Sequence, residues 1–400
     1  MSVARLTLNL VRLTSVAVAV FGSTAAYAEP LTLTASHNVT HDANFARTPT
    51  PVSDTINTTS LQLDLDKKYG RQTYSGSAQV SAIRYGQFGK LLDNDAKDIS
   101  AGFSTELLSN WRVLLDGAYG ESLNQFENNK SSEQLVRNIR TTKNAQGQII
   151  YGVSGVWALV GSAGKSTLAY SVPAYYYLNY RQDNQGLKAV YYSSDLLNYS
   201  VGVRHVESQY TLNGERIDEM NLDLSTDWNV TGLSQLRATL SWTDSERKVV
   251  QVGRNYKGVT GFLNWNYTPH GLMSYGVSMY RTSNSDQFNT NYVDAAGKTA
   301  QNSLNNRTLS ATAYARLAAT AKFALTASTT WKHFNVDNDQ LAGVQRSASD
   351  YHSYSLNAGY AVERWLRLSA GVTRYQQSKD TTRNDYAGHA VNVAASFILD

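Results

Sequence analysis

Residues 350–375 read DYHSYSLNAGYAVERWLRLSAGVTRY, and this stretch decides the fold because its character changes at every second residue. In the first arm, the large apolar residues Tyr354 and Leu356 alternate with polar or small residues. In the second arm, Leu366 and Leu368 begin a similar series. A period of two places successive side chains on opposite faces of a β-strand. The stretch therefore predicts a β-hairpin with one apolar face and one polar face.

The same alternation recurs along the chain after its first 28 residues, and two kinds of connection separate the arms. Short turns are predicted at residues 67–70, 108–111, 161–164, 194–198, 230–234, 268–271, 318–321 and 362–364. Longer polar loops are predicted at residues 41–55, 86–96, 121–136, 182–186, 210–217, 244–255, 284–305, 335–350 and 376–385. Short turns at one end and longer loops at the other are typical of outer-membrane barrels.

These arms predict an all-β fold, a transmembrane antiparallel up-and-down β-barrel of about 18 strands (16–18), with both termini periplasmic. A sheet edge in lipid would leave backbone N–H and C=O groups unpaired, at a cost of several kcal/mol each. Closing the sheet removes the edge. The apolar face then contacts lipid, and the polar face lines an aqueous lumen.

The aromatic residues favour the barrel over a soluble β-sandwich. Five of the seven Trp residues stand within a few residues of a short turn, and Trp242 and Trp331 stand near the far ends of their arms. Trp and Tyr gather at membrane–water interfaces because their rings are apolar at one end and polar at the other. A soluble sandwich has about seven to nine strands, which is too few for the arms of this chain.

The first 28 residues form a segment of their own. Arg5 and Arg12 flank the start of a short apolar run over residues 13–21, and Ala26 and Ala28 fit a cleavage site. We therefore predict a signal peptide over residues 1–28 and an outer-membrane β-barrel over residues 29–400. An uncleaved anchor is the alternative, but the apolar run is shorter than the ~20 residues that a spanning helix needs.

Composition excludes several classes of site. Charged residues make up 17% of the chain, Lys and Arg are scattered, and Cys is absent. No disulfide framework or thiolate metal site can form, and no basic cluster predicts a nucleic-acid partner.

No motif of a known enzyme class is present, so we expect no catalytic residue, no cofactor and no metal. His37 and His41 lie on one face of an alternating arm; a metal pair there is the alternative to two interfacial side chains. Asp93, Asp95 and Asp98 resemble part of a calcium loop, but its Gly and its distal Glu are missing. An ordinary acidic surface loop is the favoured interpretation.

Extending the alternation predicts a set of charged residues that line the lumen. Their signs are balanced, whereas a strongly ion-selective pore would show an excess of one sign. The alternation leaves open whether these side chains contact a solute or pair with each other and stabilise the wall. The candidate lumen-lining residues are Arg112, Arg204, Arg237, Arg316, Arg367, Asp64, Glu106, Asp116, Asp223 and Asp227.

Three stretches, VTHDANF (39–45), DTINTTSLQLDLDKKYGRQTY (54–74) and RNIRTTKN (137–144), together resemble the EpsL-type β-barrel family. That family is found with exopolysaccharide biosynthesis genes. Its first strand commonly carries a doubled Asp followed by Asn and Leu. Here Asp42, Asn44, Phe45 and Arg47 occupy that region, with His41 and Ala43 as departures. The family has no established catalytic residues to carry across.

The resemblance implies a role in exporting an exopolysaccharide across the outer membrane. The expected partners are the polysaccharide chain, its synthesis and export proteins, outer-membrane lipid and the barrel-assembly machinery. The alternative is a general or substrate-preferring porin for small solutes. The residues distinguish a barrel from other folds, and they do not distinguish these two functions.

Overall fold

The computed structural model describes residues 31–399 with a series of gaps. The predicted signal peptide lies outside the described residues. The gaps are residues 109, 125, 127–134, 154, 213, 249–254, 283–291, 294–298, 301–302, 341–342 and 381–383.

Eighteen antiparallel strands form one closed sheet, which confirms the predicted fold class. Each strand pairs with the next along the chain, and β1 pairs with β20 from Leu33↔Leu399 to Asp42↔Ala390, so the wall has no free edge. Two short strands, β14 and β15, pair with each other outside this sheet. The strands are Leu31–Asp42 (β1), Asp54–Tyr69 (β2), Gln72–Tyr85 (β3), Asn94–Leu107 (β4), Trp111–Leu123 (β5), Ile139–Tyr151 (β6), Trp157–Tyr170 (β7), Tyr180–Ser194 (β8), Leu197–Tyr210 (β9), Arg216–Asn229 (β10), Ser234–Arg247 (β11), Tyr256–Tyr267 (β12), Met273–Thr282 (β13), Tyr292–Val293 (β14), Thr299–Ala300 (β15), Ser303–Leu317 (β16), Phe323–Gln340 (β17), Gly343–Ala361 (β18), Leu366–Gln377 (β19) and Tyr386–Leu399 (β20).

The two ends of the barrel differ in their connections. The connections β2–β3, β4–β5, β8–β9 and the others of that series are short and lie at one end, together with residues 31 and 399; we name this the turn end. The opposite, loop end carries most of the longer connections, including a short helix at Gly89–Leu92 and a 3-10 helix at Pro173–Leu178, although only two residues separate β17 from β18 there. In outer-membrane barrels the short turns face the periplasm. No helix in the described part of the chain has the length and apolarity needed to cross a bilayer.

The two faces of the wall follow from strand periodicity. On β11, Leu240 and Trp242 are exposed on one face, while Ser241 and Thr243 are buried on the other. The same division continues from strand to strand through the antiparallel register. The exposed apolar face forms a continuous belt, as expected for the ~25 Å band that such barrels present to lipid.

Aromatic residues mark the turn end of this belt, as their positions in the sequence predict. Their rings pack across neighbouring strands and connections. The pairs are Trp111–Tyr151 at 4.7 Å, Trp157–Tyr191 at 4.6 Å, and Trp365–Phe397 at 6.0 Å between ring centroids.

Three predicted connections are wrong. Of the loop predicted at residues 335–350, residues 335–340 lie inside β17 and residues 343–350 lie inside β18. Residues 161–164 lie inside β7 and residues 182–186 lie inside β8, while the real connections are residues 152–156 and 171–179. Gly164 shows why: a Cβ there would stand 2.9 Å from the side chain of Asn184 on the next strand. The small residues make room for neighbouring side chains instead of bending the chain. Because one turn and one loop are both displaced, the predicted strand number still holds.

Candidate functional site: the lumen wall and its mouth

The polar face of the wall lines the lumen, because the opposite face carries the apolar belt. The strand register places all ten predicted lumen residues on this polar face. Their contact with a solute stays a prediction. What the structure adds is the partner of each side chain.

Six of the ten residues form three ion pairs between neighbouring strands. All are partly exposed, so water in the lumen screens them, and each contributes at most about 1 kcal/mol to stability. Each pair also cancels one positive and one negative charge of the wall. The pairs are Arg112–Glu106, Arg204–Asp223 at 3.1 Å, and Arg237–Asp227 at 2.9 Å.

The remaining four differ among themselves. Asp64 accepts hydrogen bonds of 2.9 and 2.8 Å from the amide of Gln62. Arg316 and Arg367 each have a polar contact. Asp116 has no side-chain partner within the described ranges; its carboxylate lies beside Gly102, whose Cβ position would be 3.1 Å from it. Asp64 and Asp116 are therefore the two predicted acids of this set with no ion pair among the described residues.

On the inner face, most of the buried polar residues lie in the loop-end half, while the apolar Ala158, Val160 and Val190 are buried near the turn end. The side chain of Arg237, toward the turn end of β11, is 56% exposed, whereas Thr243, toward the loop end of the same strand, is 0% exposed. Side chains on this face of β10 and β11 contact one another toward the loop end, as Thr243 does with Asn221. Other buried residues of the loop-end half are Ser60, Gln79, Ser81, Asp98, Ser208, Asn221, Ser245, Thr312, Thr330 and Lys332.

A buried ion pair stabilises the loop-end half on one side of the barrel. Arg247 donates to Glu215 at 2.9 Å, and their side chains are only 6% and 3% exposed. Nearby, Thr243 donates to the side-chain oxygen of Asn221 at 2.7 Å, and Asn221 donates to Glu219 at 2.8 Å. Sequence alternation did not identify the Arg247–Glu215 pair, because Glu215 lies in a connection.

An apolar cluster fills the opposite side of the loop end. We name it the mouth cluster: Phe45, Ala46, Leu92 and Phe126, with Val52, Ile56, Tyr85, Phe88, Leu123 and Leu135 packed around them. Its members come from the first three loop-end connections and from the strands beside them. The ring of Phe45 lies 5.3 Å from that of Phe88 and 5.8 Å from that of Phe126. These contacts fix three connections to one another.

A buried carboxylate anchors the first of these connections. Asp42 accepts from the Arg47 guanidinium at 2.9 Å, from the Asn44 backbone N–H at 2.9 Å, and from the Tyr375 hydroxyl. The guanidinium carbon of Arg47 lies 3.8 Å from the centroid of the Tyr375 ring, within the range of a cation–π contact. Burial raises the pKa of Tyr375, so its hydroxyl stays a donor.

Two further carboxylates anchor the second connection through backbone amides. Asp54 accepts from the N–H groups of Gln87 at 2.9 Å and Phe88 at 3.2 Å, and Asp93 accepts from that of Tyr85 at 2.7 Å. Burial, with the nearby carboxylates of Asp54, Asp93 and Asp42, raises the pKa of Tyr85 to about 12.

The interpretation of Asp93, Asp95 and Asp98 as an ordinary acidic surface loop is therefore wrong in part. Asp93 holds the backbone of Tyr85, and Asp98 is buried on the polar face of β4. Only Asp95 fits that interpretation, as an exposed residue paired with Arg84 at 2.9 Å.

Rings and amides line the wall of β12, β13 and β16. Tyr280 donates to the side-chain oxygen of Asn264 at 3.1 Å, and Tyr314 donates to that of Asn266 at 3.1 Å. Phe262 packs on Tyr280 at 6.3 Å. In the sequence, Phe262 is an apolar residue at a polar-face position, and this departure from the alternation is the one feature that points to the patch of rings and amides. Half-buried rings and amides of this kind can contact a solute by stacking and hydrogen bonding.

The two histidines of β1 hydrogen-bond to threonines on the outer face. His37 lies 2.9 Å from the Thr59 hydroxyl and His41 lies 3.0 Å from that of Thr55. Among the described residues, no group of three or more His, Asp or Glu is placed to hold a metal ion.

No model of a known protein family matches the chain, and no curated protein matches its sequence. Solved structures do match. A BenF-like porin from Pseudomonas fluorescens Pf-5 has a TM-score of 0.51 and 13% identity, covering 92% of this chain and 98% of the porin. OpdK from Pseudomonas aeruginosa has a TM-score of 0.45 and 12% identity, covering 92% and 98%. OccK2 (OpdF) from the same organism, in complex with glucuronate, has a TM-score of 0.47 and 12% identity, covering 92% and 97%.

At 13% identity, the likeness to the BenF-like porin shows the fold alone, and it agrees with the closed 18-stranded barrel of this chain. None of the three matches named here is described as an EpsL-type barrel. The general class, an outer-membrane β-barrel, is therefore supported, and the finer resemblance stays a hypothesis.

Proposed function

We propose that the protein is an outer-membrane porin that lets small polar solutes diffuse through its lumen. The observation that carries the proposal is a closed wall whose inner face carries three partly exposed ion pairs, open to water. The pairs Arg237–Asp227 and Arg204–Asp223 leave the lumen close to neutral, which suits hydroxyl-rich or mildly charged solutes. The fold likeness to a BenF-like porin agrees with this function.

The mouth cluster and the buried loop-end half set the size limit in this proposal. Solutes would enter past the packed side of the mouth and meet the narrow region near Thr243 and Asn221. They would then pass Phe262, Tyr280 and Tyr314 before the wider half. Such a path favours small solutes over a thick polymer chain.

Conductance in planar bilayers tests the proposal. We expect the purified protein to form open channels with an anion-to-cation permeability ratio within about threefold of one, because the wall is charge-balanced. Arg237→Gln should shift the ratio toward cations, and Asp227→Asn should shift it toward anions. Channels that never open above the bilayer background would contradict a porin. Equal ratios in both variants would show that this pair does not line the conducting path.

Exopolysaccharide export is the second candidate, supported by the resemblance over residues 39–144. The structure gives part of that resemblance a role in the scaffold, since Asp42, Asn44 and Phe45 hold the first connection in place. A deletion strain distinguishes the two functions. Loss of secreted polysaccharide with build-up in the periplasm would favour export, and unchanged secretion with slower solute uptake would favour the porin.

A further inference from the structure

The outer face of the barrel carries an unusual row of histidines beside an apolar groove. The row stands where the belt gives way to polar residues at the loop end. Five His residues occupy outward register positions on β17, β18, β20 and β1: His37, His41, His333, His352 and His389.

The groove lies on the outer face of β16 to β19 and has a volume of about 630 Å³. Its floor is formed by alanines, including Ala313 and Ala327, and its sides by the larger Tyr354 and Leu356. Arg374 caps it toward the loop end. An apolar channel on this face of a barrel is open to lipid chains and not to lumen water.

The cap is positively charged and uncompensated. The side chain of Arg374 is exposed and has no hydrogen-bond or ion-pair partner within the described ranges. In the register it opposes His389 on one side and Tyr354 on the other. On β18, Asp350 accepts from His333 at 2.8 Å and from Trp331 at 3.2 Å.

We propose that this groove binds a membrane lipid with a phosphorylated head group. One acyl chain lies along the alanine floor, and the phosphate contacts Arg374 and His389 at the level of the head groups. A guanidinium and an imidazole are both donors that suit phosphate oxygens. The site concerns the outer wall, so it is independent of what passes through the lumen.

Arg84 provides the matched control. It is another arginine at the loop-end rim of the outer face, and it is half-exposed like Arg374. Its guanidinium is already occupied, by Asp95 at 2.9 Å and by the backbone carbonyl of Asn94 at 2.9 Å. Replacing it removes one rim charge without touching the groove.

The test is lipid retention measured by native mass spectrometry. The protein is purified in dodecyl maltoside and mixed with dioleoyl phosphatidic acid or with dioleoyl phosphatidylcholine. We expect the wild type to retain the phosphatidic acid at least fivefold better than the phosphatidylcholine. The double variant Arg374→Gln/His389→Gln should lose this preference, and Arg84→Gln should keep it.

A groove-filling variant, Ala327→Leu, tests the acyl chain separately from the head group. It should lower retention of phosphatidic acid at least threefold while the mobility shift of the folded barrel in unheated gels is unchanged. Equal retention by all variants would overturn the proposal. So would full displacement of the lipid by inorganic phosphate alone, since the groove would then contribute nothing.

Discussion

The mouth and the turn-end half of the lumen hold their charges in opposite ways. At the mouth, Asp42 is buried and its oxygens accept from a backbone N–H, a guanidinium and a hydroxyl. In the turn-end half of the lumen, the partly exposed Asp227 accepts hydrogen bonds from Arg237 and Gln235. The first arrangement fixes the chain, because three donors occupy the Asp42 carboxylate. The second is loose and exposed, so its groups can exchange partners with a passing solute.

The largest expected difference between the two regions appears in matched substitutions. Asp42→Asn removes the charge that compensates the partly buried Arg47, and we expect it to cost about 3–5 kcal/mol of unfolding free energy. Asp227→Asn should cost no more than about 1 kcal/mol, because its pair is solvent-screened. Urea unfolding of both variants in detergent, followed by Trp fluorescence, measures the two losses. Equal losses would mean that the Asp227–Arg237 pair contributes as much to stability as Asp42 does at the mouth.

Phe45→Ala sharpens the comparison by combining stability with conductance. The lost ring leaves a cavity in the mouth cluster, and such truncations cost about 3–5 kcal/mol in well-packed cores, with the lower value expected at a partly hydrated mouth. Because Phe45 ties three connections together, single-channel conductance should rise. A stable variant with wild-type conductance would show that the cluster does not restrict the path.

Gly276→Ala probes the aromatic and amide patch between the two regions. A Cβ at this position would stand 2.1 Å from the Tyr314 ring, so the ring must move away from the wall. Overpacking of this kind costs about 1–3 kcal/mol, and a displaced Tyr314 should reduce conductance. Gly117→Ala is the control, since its added Cβ meets only a backbone oxygen at 3.8 Å. If both variants conduct alike, Tyr314 does not border the path.

The smallest effect is expected at alkaline pH. The pKa of Tyr85 is raised to about 12 in the folded protein, against about 10 for an unperturbed tyrosine. A raised pKa stabilises the native state fully below the unfolded pKa, and this contribution is lost as pH rises through the folded one. The urea midpoint should therefore fall between about pH 10 and 12. Tyr85→Phe should flatten part of that fall, and an unchanged profile would exclude Tyr85 as its cause.

The period-two alternation of the sequence predicts the barrel wall, but it does not predict the mouth cluster. Alternation identifies the face of residues such as Arg237 and Asp223, because each strand position fixes its own side. The mouth cluster joins Phe45, Phe88 and Phe126, which are far apart in the chain and lie in connections with no period. Only tertiary packing brings them together. The small residues at 161–164 are typical of a turn, but Gly164 lies in β7 and leaves room for the side chain of Asn184 on β8.

The pairing of β1 with β20 has a consequence for how the molecule is made. These strands come from opposite ends of the described chain, yet they share ten register positions, including Ala35↔Phe397. A contact between such distant segments closes a very large loop, so its formation is entropically costly and slow. Until β1 and β20 pair, the curved sheet is open and has two unpaired edge strands. We therefore expect the barrel to close in one late folding step. A substitution that disrupts the pairing of β1 or β20 should leave the wall open along the whole length of these strands.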